Sequence, residues 1–327
     1  MSNTGLLPLS THIPGLPDAA SQFARDMLAG LSAKPKRAPC KYFYDSEGSE
    51  LFEKICELPE YYPTRAEMSI LHACSADIAC RMGSNVTLIE FGAGALHKVG
   101  LLLDALERPG AYVPVDISGD YLHDVVARLR QTRPGIAVRP VVADFTRPFR
   151  LPAFDKGTRL VGFFPGSTIG NLDRVEAIAF LRRTAAMLKG GGLLIGVDLV
   201  KDPAILHAAY NDSAGVTEAF NKNILARANR ELDADFDLDA FAHYAFLNPV
   251  HQRVEMHLMS LARQSVTLSG RDILFAEGET IHTENSHKFT VEEFRALARE
   301  AGFTPRAVWC DPANLFSVHW LECANEM

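Results

Sequence analysis

The hydrophobic and polar positions of this chain predict short buried strands that alternate with amphipathic helices. Apolar runs that predict strands lie at 86–91, 111–116, 136–142, 160–164 and 193–197. Stretches with a helical period of apolar positions lie between them, at 99–106, 120–131 and 175–188. Strands separated by helices of about 10–15 residues are typical of βαβ units. The pattern therefore predicts an α/β fold with a parallel sheet that helices cover on both faces.

Outside this region the pattern is less regular. After Asp198, residues 202–250 predict mostly polar helix, and 255–268 and 272–284 predict strands. A helix at 290–301 and strands at 306–310 and 315–321 follow. Because the late helix and hairpin fit the same sheet as the first five strands, the segment between those strands and the late helix is interpreted as an insertion. The predicted division is a core of 62–200 plus 287–327 and a second domain of 1–61 plus 201–286.

The N-terminal part of the chain predicts an arm and two helices. The first 15 or so residues are rich in Pro, Gly, Ser and Thr, which is typical of a segment with little structure of its own. Helices are expected at 19–31 and 51–58. We expect the second helix to stop before Pro63, because proline lacks the amide donor.

Composition narrows the class of protein. The chain has 327 residues and a formal net charge of −7, and it shows no cationic cluster that would neutralise nucleic-acid phosphates. The apolar fraction is 47%, and neither a signal peptide nor an apolar run long enough to span a membrane is present. The 6 cysteines form no CxxC pair, and the histidines form no metal motif. We therefore expect a cytoplasmic protein with reduced thiols, no metal, no nucleic acid and no membrane partner.

A glycine-rich loop follows the first predicted strand. Gly92 and Gly94 stand where the strand turns into a helix, and glycines there let the backbone approach a ligand closely. His97 occupies the position of the third glycine of a dinucleotide fingerprint, which disfavours a pyrophosphate ligand. Lys98 is placed to meet a carboxylate, such as the terminal group of S-adenosyl-L-methionine (SAM). The loop therefore favours SAM over a nicotinamide dinucleotide.

Acidic residues also end the next two predicted strands. Asp116 is expected to accept hydrogen bonds from ribose hydroxyls, as acids do at this position in nucleoside-binding sheets. Asp144 is expected to accept from the adenine amine, and Phe145 to pack near the adenine ring. Ligands of open α/β sheets bind beyond the carboxyl ends of the strands, where all of these residues lie.

Several segments together resemble the histidine-specific Nα-methyltransferases of ergothioneine biosynthesis. They are FYD at 43–45, LPEYYPTR at 58–65, FGAG at 91–94, PGSTIGN at 165–171, AGVT at 214–217 and TENSHKF at 283–289. The resemblance implies a class I SAM-dependent methyltransferase with a Rossmann-like, mostly parallel seven-stranded sheet and an antiparallel last strand. It also implies an inserted α+β substrate-binding domain. The implied reaction is trimethylation of the α-amine of L-histidine, through its mono- and dimethyl forms, to hercynine.

The resemblance also implies roles for residues at the amino-acid end of the substrate. Tyr44 would lie near the substrate amine, and Gly166 and Asn171 would meet the amine and the α-carboxylate. Tyr210 would also hold the carboxylate. Methyl transfer from a sulfonium mainly requires a neutral amine that is desolvated and aligned. Tyr44 and Asn171 are therefore interpreted as catalytic positioners rather than strong bases.

The ring end has its own set of residues. The resemblance assigns imidazole contacts to Tyr61, Glu284 and Ser286, with Met256 lining the ring pocket. Residues at i and i+2 of a strand face the same side, so a carboxylate and a hydroxyl at 284 and 286 can bracket a small ring with one donor and one acceptor. This interpretation makes Glu284 the predicted specificity residue.

Three alternatives stay open at this point. The chain could methylate another aromatic amino acid such as tryptophan or tyrosine, although a large neutral ring would leave Glu284 unpaired. It could be a catalytically silent SAM-binding module, although such a module needs no second-substrate site. A nicotinamide-dependent dehydrogenase is disfavoured by His97. The sequence allows a monomer and leaves the oligomeric state open.

Overall fold

A computed structural model describes residues 19–94, 96–154 and 157–323 of the chain. Its helices are α1 (Ala19–Ser32), α2 (Ser46–Glu57), α3 (Tyr62–Met82), α4 (Leu96–Ala105), α5 (Gly119–Thr132), α6 (Arg174–Met187), α7 (Pro203–Tyr210), α8 (Val216–Glu231) and α9 (Val291–Glu300). Short 3-10 turns lie at Cys40–Phe43, Thr168–Asn171 and Leu238–Ala240. The predicted N-terminal arm lies outside the described residues.

The strands complete the element order. They are β1 (Lys36–Arg37), β2 (Val86–Phe91), β3 (Ala111–Asp116), β4 (Val141–Val142), β5 (Arg159–Phe164), β6 (Gly192–Asp198), β7 (Phe241–Asn248), β8 (Arg253–Ser260), β9 (Gln264–Leu268), β10 (Arg271–Phe275), β11 (Thr280–His287), β12 (Phe303–Cys310) and β13 (Phe316–Cys323).

A seven-stranded sheet has the order β12-β13-β6-β5-β2-β3-β4. The strands from β6 to β4 are parallel, and β13 is antiparallel to both of its neighbours. One apolar cluster packs α3, α4 and α5 on one face, and a second packs α6 and α9 on the other. The predicted doubly wound sheet with an antiparallel last strand is confirmed.

A second sheet has the order β1-β11-β8-β7, and β9 pairs with β10 in a separate hairpin. A third apolar cluster joins this sheet to α1, α2, α7 and α8. These helices and strands come from the predicted insertion and from the N-terminal region. The division of the chain at residues 61, 200 and 286 stays our proposal.

The predicted strand at 136–142 is wrong in length. Only Val141 and Val142 pair with β3, and Val138 forms an isolated bridge with Tyr112. Pro140 lies between the two paired sites, and a proline cannot donate to a ladder. Pro140 therefore divides the apolar run, and a prediction from hydrophobicity alone does not take proline into account.

The predictions for the insertion need correction as well. Residues 202–250 contain α7 and α8, as expected, but they end in β7, whose side chains are mostly half-buried. The strands predicted at 255–268 and 272–284 are four strands, β8 to β11. The turn between β8 and β9 has the sequence Leu261-Ala262-Arg263, which carries no glycine, proline or asparagine to mark it.

Pro63 lies at the beginning of a helix and is not the residue that stops α2, so this part of the prediction is wrong. α2 stops at Glu57, and Pro63 lies in the first turn of α3, where its missing N–H has no partner to lose. This long helix carries Glu67 into the core beneath the site described next.

Candidate active site

A cavity lies where the carboxyl ends of β5 and β6 face the second sheet. All of the residues that the sequence assigned to the substrate line it, namely Tyr44, Tyr61, Gly166, Asn171, Tyr210, Met256, Glu284 and Ser286. The sequence did not single out other lining residues, among them Phe52, Ile55, Asp198 and Phe220. Residues from distant parts of the chain thus surround one cavity, and its lining combines aromatic side chains with the carboxylates of Asp198 and Glu284.

Tyr44 enters the cavity from the turn before α2. Asp45 caps that helix by accepting a hydrogen bond from Gly48 N at 2.8 Å, and this cap fixes the direction of the preceding residue. The Tyr44 ring lies edge-on to Phe52 and Phe220, each at 5.6 Å between ring centroids. Burial raises the pKa of Tyr44 well above its ordinary value. Its hydroxyl is therefore protonated at neutral pH and can position a group by hydrogen bonding.

The ring end of the cavity is built on β8 and β11. Met256 and Glu284 are register partners, and a β-bulge lies between His282 and Glu284. Thr283 lies in the bulge, with its hydroxyl oxygen 2.7 Å from Asn221 Oδ1 and 3.0 Å from the Met256 carbonyl oxygen. Burial raises the pKa of Glu284 to about 7, against the opposing effect of the Lys288 ammonium. None of the described residues forms a hydrogen bond with this carboxylate, so it is available to a donor in the cavity.

A hydrogen-bonded network lies behind Ser286. The Tyr210 hydroxyl donates to Ser286 Oγ at 2.6 Å, and Lys288 Nζ donates to the same oxygen at 2.7 Å. Lys288 Nζ also lies 2.7 Å from Asp198 Oδ2. Asp198 in turn accepts from Lys201 Nζ at 2.5 Å. The hydroxyl of Tyr210 thus lies at the Ser286 end of the cavity, and its contact with the substrate carboxylate stays a prediction.

A buried ion pair lies beneath the loop that follows β5. Glu67 is 0% exposed, and its Oε2 is 2.7 Å from Lys98 Nζ. Gly166 N donates to both oxygens of Glu67, at 3.1 and 2.9 Å. Burial opposes the charge of Lys98, but the Glu67 carboxylate raises its pKa. This pair therefore fixes the position of Gly166 and joins the predicted substrate loop to the predicted cofactor loop.

Glu67 is a site residue that the sequence reasoning missed. The available signal was an acid at a buried position of a helix that also carries Ala66, Ile70 and Leu71 inwards. Buried carboxylates in proteins are paired, so such an acid predicts a basic partner elsewhere in the chain. The hydrophobic pattern alone does not identify Lys98 as that partner.

The loop after β2 is open to a ligand. Gly92 has a φ of +74°, and a Cβ at Gly94 would have no neighbour within 4 Å. Gly92 N donates to Val115 O at 2.9 Å, so the loop is tied to the end of β3. The predicted cofactor residues Gly92, Gly94 and Lys98 lie on this one loop and the helix that follows it.

Asp116, the last residue of β3, and Asp144, which follows β4, lie on the same edge of the sheet. Asp116 Oδ1 accepts from Ser118 N at 2.8 Å, and burial raises the pKa of Asp116 to about 6 despite that bond. Asp144 accepts from Thr146 N at 3.0 Å and lies 3.4 Å from Lys41 Nζ. Phe145 lies beside the glycine loop, where its Cε1 would be 3.6 Å from a Cβ at Gly92. The open loop, the half-buried carboxyl group of Asp116 and the adjacent ring of Phe145 suit a nucleoside with a charged tail.

A cluster of Glu255, His257 and His282 has ligand atoms close enough to hold a metal ion. The two imidazole rings are stacked, with centroids 4.6 Å apart and an interplanar angle of 9°. A metal ion bound through a ring nitrogen lies near the ring plane, and two parallel planes cannot share one ion. Arg253 also lies 2.7 Å from the Glu255 carboxylate. We therefore interpret this group as a hydrogen-bonded cluster of the second sheet.

The part of the chain that the structure describes contains no helix that is both long and apolar enough to cross a membrane.

Comparisons with known proteins agree with this geometry. A family model described as histidine-specific methyltransferase, SAM-dependent, matches residues 23–323. The chain is 45% identical over 307 residues to a histidine N-alpha-methyltransferase of Mycolicibacterium smegmatis, covering 92% of this chain and 94% of the relative. It is 42% identical over 300 residues to the Mycobacterium tuberculosis protein of the same name, covering 90% and 92%. A Neurospora crassa ergothioneine biosynthesis protein 1 is 28% identical over 88% of this chain and 33% of the relative.

Proposed function

This chain belongs to the SAM-dependent, histidine-specific methyltransferases, and we propose from this premise that it trimethylates the α-amine of L-histidine. The product is hercynine, and the reaction is the first step of ergothioneine biosynthesis. The partners are small molecules: SAM, L-histidine and its mono- and dimethyl forms. The observation that supports this proposal best is the cavity in which a free carboxylate, a hydroxyl and a thioether lie together, on Glu284, Ser286 and Met256.

The cofactor edge of the sheet is proposed to hold SAM, which supplies the methyl group. Gly92 and Gly94 would lie against the ligand without steric conflict, and Lys98, whose ammonium is paired with Glu67, would keep its predicted place near the ligand carboxylate. Asp116 would accept from the ribose hydroxyls, and Asp144 and Phe145 would meet the adenine. These assignments rest on the open loop and on the half-buried acid at the end of β3.

At the other end, the amino-acid part of histidine is proposed to lie against Tyr44, Gly166 and Asn171. These residues do not need to remove a proton in the transfer step, because a small fraction of the α-amine is neutral at pH 7 and can be bound in that form. The aromatic walls exclude water from the nitrogen, and the hydrogen bonds align it. Proximity and alignment of this kind account for a large share of the barrier reduction in group transfer.

Replacement of Asp116 by alanine is expected to weaken SAM binding by about 1–3 kcal/mol, because a charged acceptor of ribose hydroxyls is lost. Isothermal titration calorimetry with SAM measures the change. Asp124, an exposed acid on α5, provides a matched control, and its replacement by alanine should leave the affinity unchanged. Equal affinities for the parent and the Asp116→Ala variant would place the ribose contact elsewhere.

The same carboxyl group predicts a pH dependence. Its pKa is raised to about 6, so it is ionised above that pH and becomes protonated as the pH falls below it. SAM affinity should therefore fall between about pH 7 and pH 5 in the parent protein. An Asp116→Asn variant cannot titrate at this position and should show a flatter profile, whereas the same slope in both proteins would assign the dependence to another group.

Asn171→Ala is expected to impair methylation of histidine while SAM binding stays nearly unchanged, because the substrate carboxylate loses a donor. Tyr210→Phe is also expected to impair methylation of histidine, because Tyr210 no longer donates to Ser286 at the ring end of the cavity. Histamine lacks the carboxylate and should be a poor substrate of the parent enzyme. Mass spectrometry of the products measures these effects, and efficient methylation of histamine would remove the role assigned to Asn171.

A further inference from the structure

Lys288 is a buried cation that lies next to the cavity without lining it. Its side chain is 1% exposed, and burial of a lysine requires that its charge be paired. Its ammonium donates to Ser286 Oγ at 2.7 Å and to the Tyr210 hydroxyl at 3.1 Å, and it lies 2.7 Å from Asp198 Oδ2. An ammonium has three N–H donors and no acceptor, so each donor of Lys288 has one partner.

These contacts determine how Ser286 can meet a ligand. A serine hydroxyl has one O–H donor and two acceptor lone pairs. Tyr210 donates to Ser286 Oγ at 2.6 Å and Lys288 donates at 2.7 Å, so both lone pairs are in use. Only the proton of Ser286 is left for a ligand in the cavity. The ring atom that faces Ser286 must therefore be an acceptor.

Glu284 presents the opposite requirement. Its carboxylate lies on the same strand, and none of the described residues donates to it, so it is suited to accept an N–H. A neutral imidazole carries one acceptor nitrogen and one N–H, and it satisfies both groups at once. A ring protonated on both nitrogens would place an N–H against the Ser286 proton and lie close to the Lys288 ammonium. A ring without an acceptor would leave the buried Ser286 donor unpaired.

We propose that Lys288 is a positioning residue that fixes Ser286 as a hydrogen-bond donor and thereby restricts the pocket to neutral rings that carry an unprotonated nitrogen and an N–H. The inference rests on the proposed methylation of histidine and adds a residue that determines which ring is accepted. Lys288 acts through Ser286 and Tyr210 and has no contact with the cavity of its own. Loss of Lys288 should therefore change the ratio of kcat/KM between substrates more than it changes kcat/KM for any one substrate.

The experiment compares histidine with its two pyrrole analogues, pyrrol-2-ylalanine and pyrrol-3-ylalanine. Each analogue keeps one ring N–H and has a C–H in place of the other nitrogen, and the two isomers cover both orientations of the ring. The parent enzyme should prefer histidine to the better isomer by at least about 100-fold in kcat/KM, because a site built to hydrogen-bond a substrate rejects analogues that leave its groups unpaired.

The test variant is Lys288→Met, which keeps much of the side-chain volume and removes the donor. Ser286 then gains a free lone pair and can turn its proton away from the ring, so the preference for histidine should fall at least about tenfold. Ser286→Ala removes the donor itself and should lower the same ratio. Thermal unfolding and SAM affinity, measured for each variant, report whether the fold is kept.

Tyr210→Phe provides a second route if Lys288→Met does not fold. It leaves Lys288 in place and frees the other lone pair of Ser286, so it should lower the ratio in the same direction. A merely structural role of Lys288 would reduce kcat/KM for all three substrates equally. An unchanged ratio in whichever of the two variants folds, or a parent ratio under about tenfold, would overturn the inference. A parent enzyme that does not methylate histidine at all would instead overturn the proposed function.

Discussion

Replacement of Glu67 by alanine is expected to lower the free energy of unfolding by about 3–5 kcal/mol, the usual cost of leaving one partner of a buried ion pair without the other. Lys98 would keep a charge that burial disfavours, and Gly166 N would lose its acceptor. Because Gly166 belongs to the loop that faces the proposed substrate, activity should fall more than the loss of folded protein explains. Denaturant unfolding followed by circular dichroism measures the change in stability.

Two further variants make the result specific. Glu57, an exposed acid at the end of α2, serves as a matched control, and its replacement by alanine should change stability by no more than about 0.5 kcal/mol. The Glu67→Ala, Lys98→Met pair removes both charges and should recover part of the lost stability. A destabilisation below about 1 kcal/mol for Glu67→Ala would show that the pair is not an essential support of the loop.

Glu284→Ala is expected to reduce kcat/KM for histidine by about 30- to 1000-fold, which corresponds to the loss of about 2–4 kcal/mol of charge-assisted hydrogen bonding in the transition state. The change also removes a buried carboxylate that a neutral apolar ring cannot satisfy. Activity on tryptophan or phenylalanine should therefore hold steady or rise. Shortening the neighbouring side chain, in a Glu284→Ala, Met256→Val pair, should favour the larger rings further.

The informative quantity is the ratio of kcat/KM for histidine to that for tryptophan in the parent and in both variants. Glu277 lies in the turn before β11 and is exposed, so Glu277→Ala is a matched control that should leave the ratio unchanged. If the ratio does not fall in either Glu284 variant, other residues recognise the imidazole. Tyr61, which also lines the cavity, would be the next candidate.

The sheet could be predicted from the sequence because its strands are buried on both faces. β2 and β3 have the predicted bounds, β5 begins one residue before its predicted start, and β6 is longer than predicted by one residue at each end. Apolar runs of this kind leave few alternative structures. The second sheet was harder, because β7 has half-buried side chains and the turn after β8 lacks marker residues. The pairing of β1 with β11 also joins segments that are distant in the chain, and a local pattern does not indicate it.

The residues of the cavity could be predicted only through family resemblance. Segments such as PGSTIGN and TENSHKF carry the polar residues, but no periodicity brings positions 44, 171 and 284 into one cavity. The buried ion pairs next to the cavity were missed for a related reason. Glu67 pairs with Lys98, and Lys288 with Asp198, across long stretches of chain, and such pairs become visible only when the fold has brought them together.

The most direct test is to incubate the purified protein with SAM and each proteinogenic amino acid in turn, and to measure the product masses. We expect histidine to gain one, two and finally three methyl groups, with hercynine as the end product and no comparable product from any other amino acid. The opposite result, in which histidine stays unmodified while SAM is bound or while another amino acid is methylated, would contradict the assignment of this enzyme as a histidine Nα-methyltransferase.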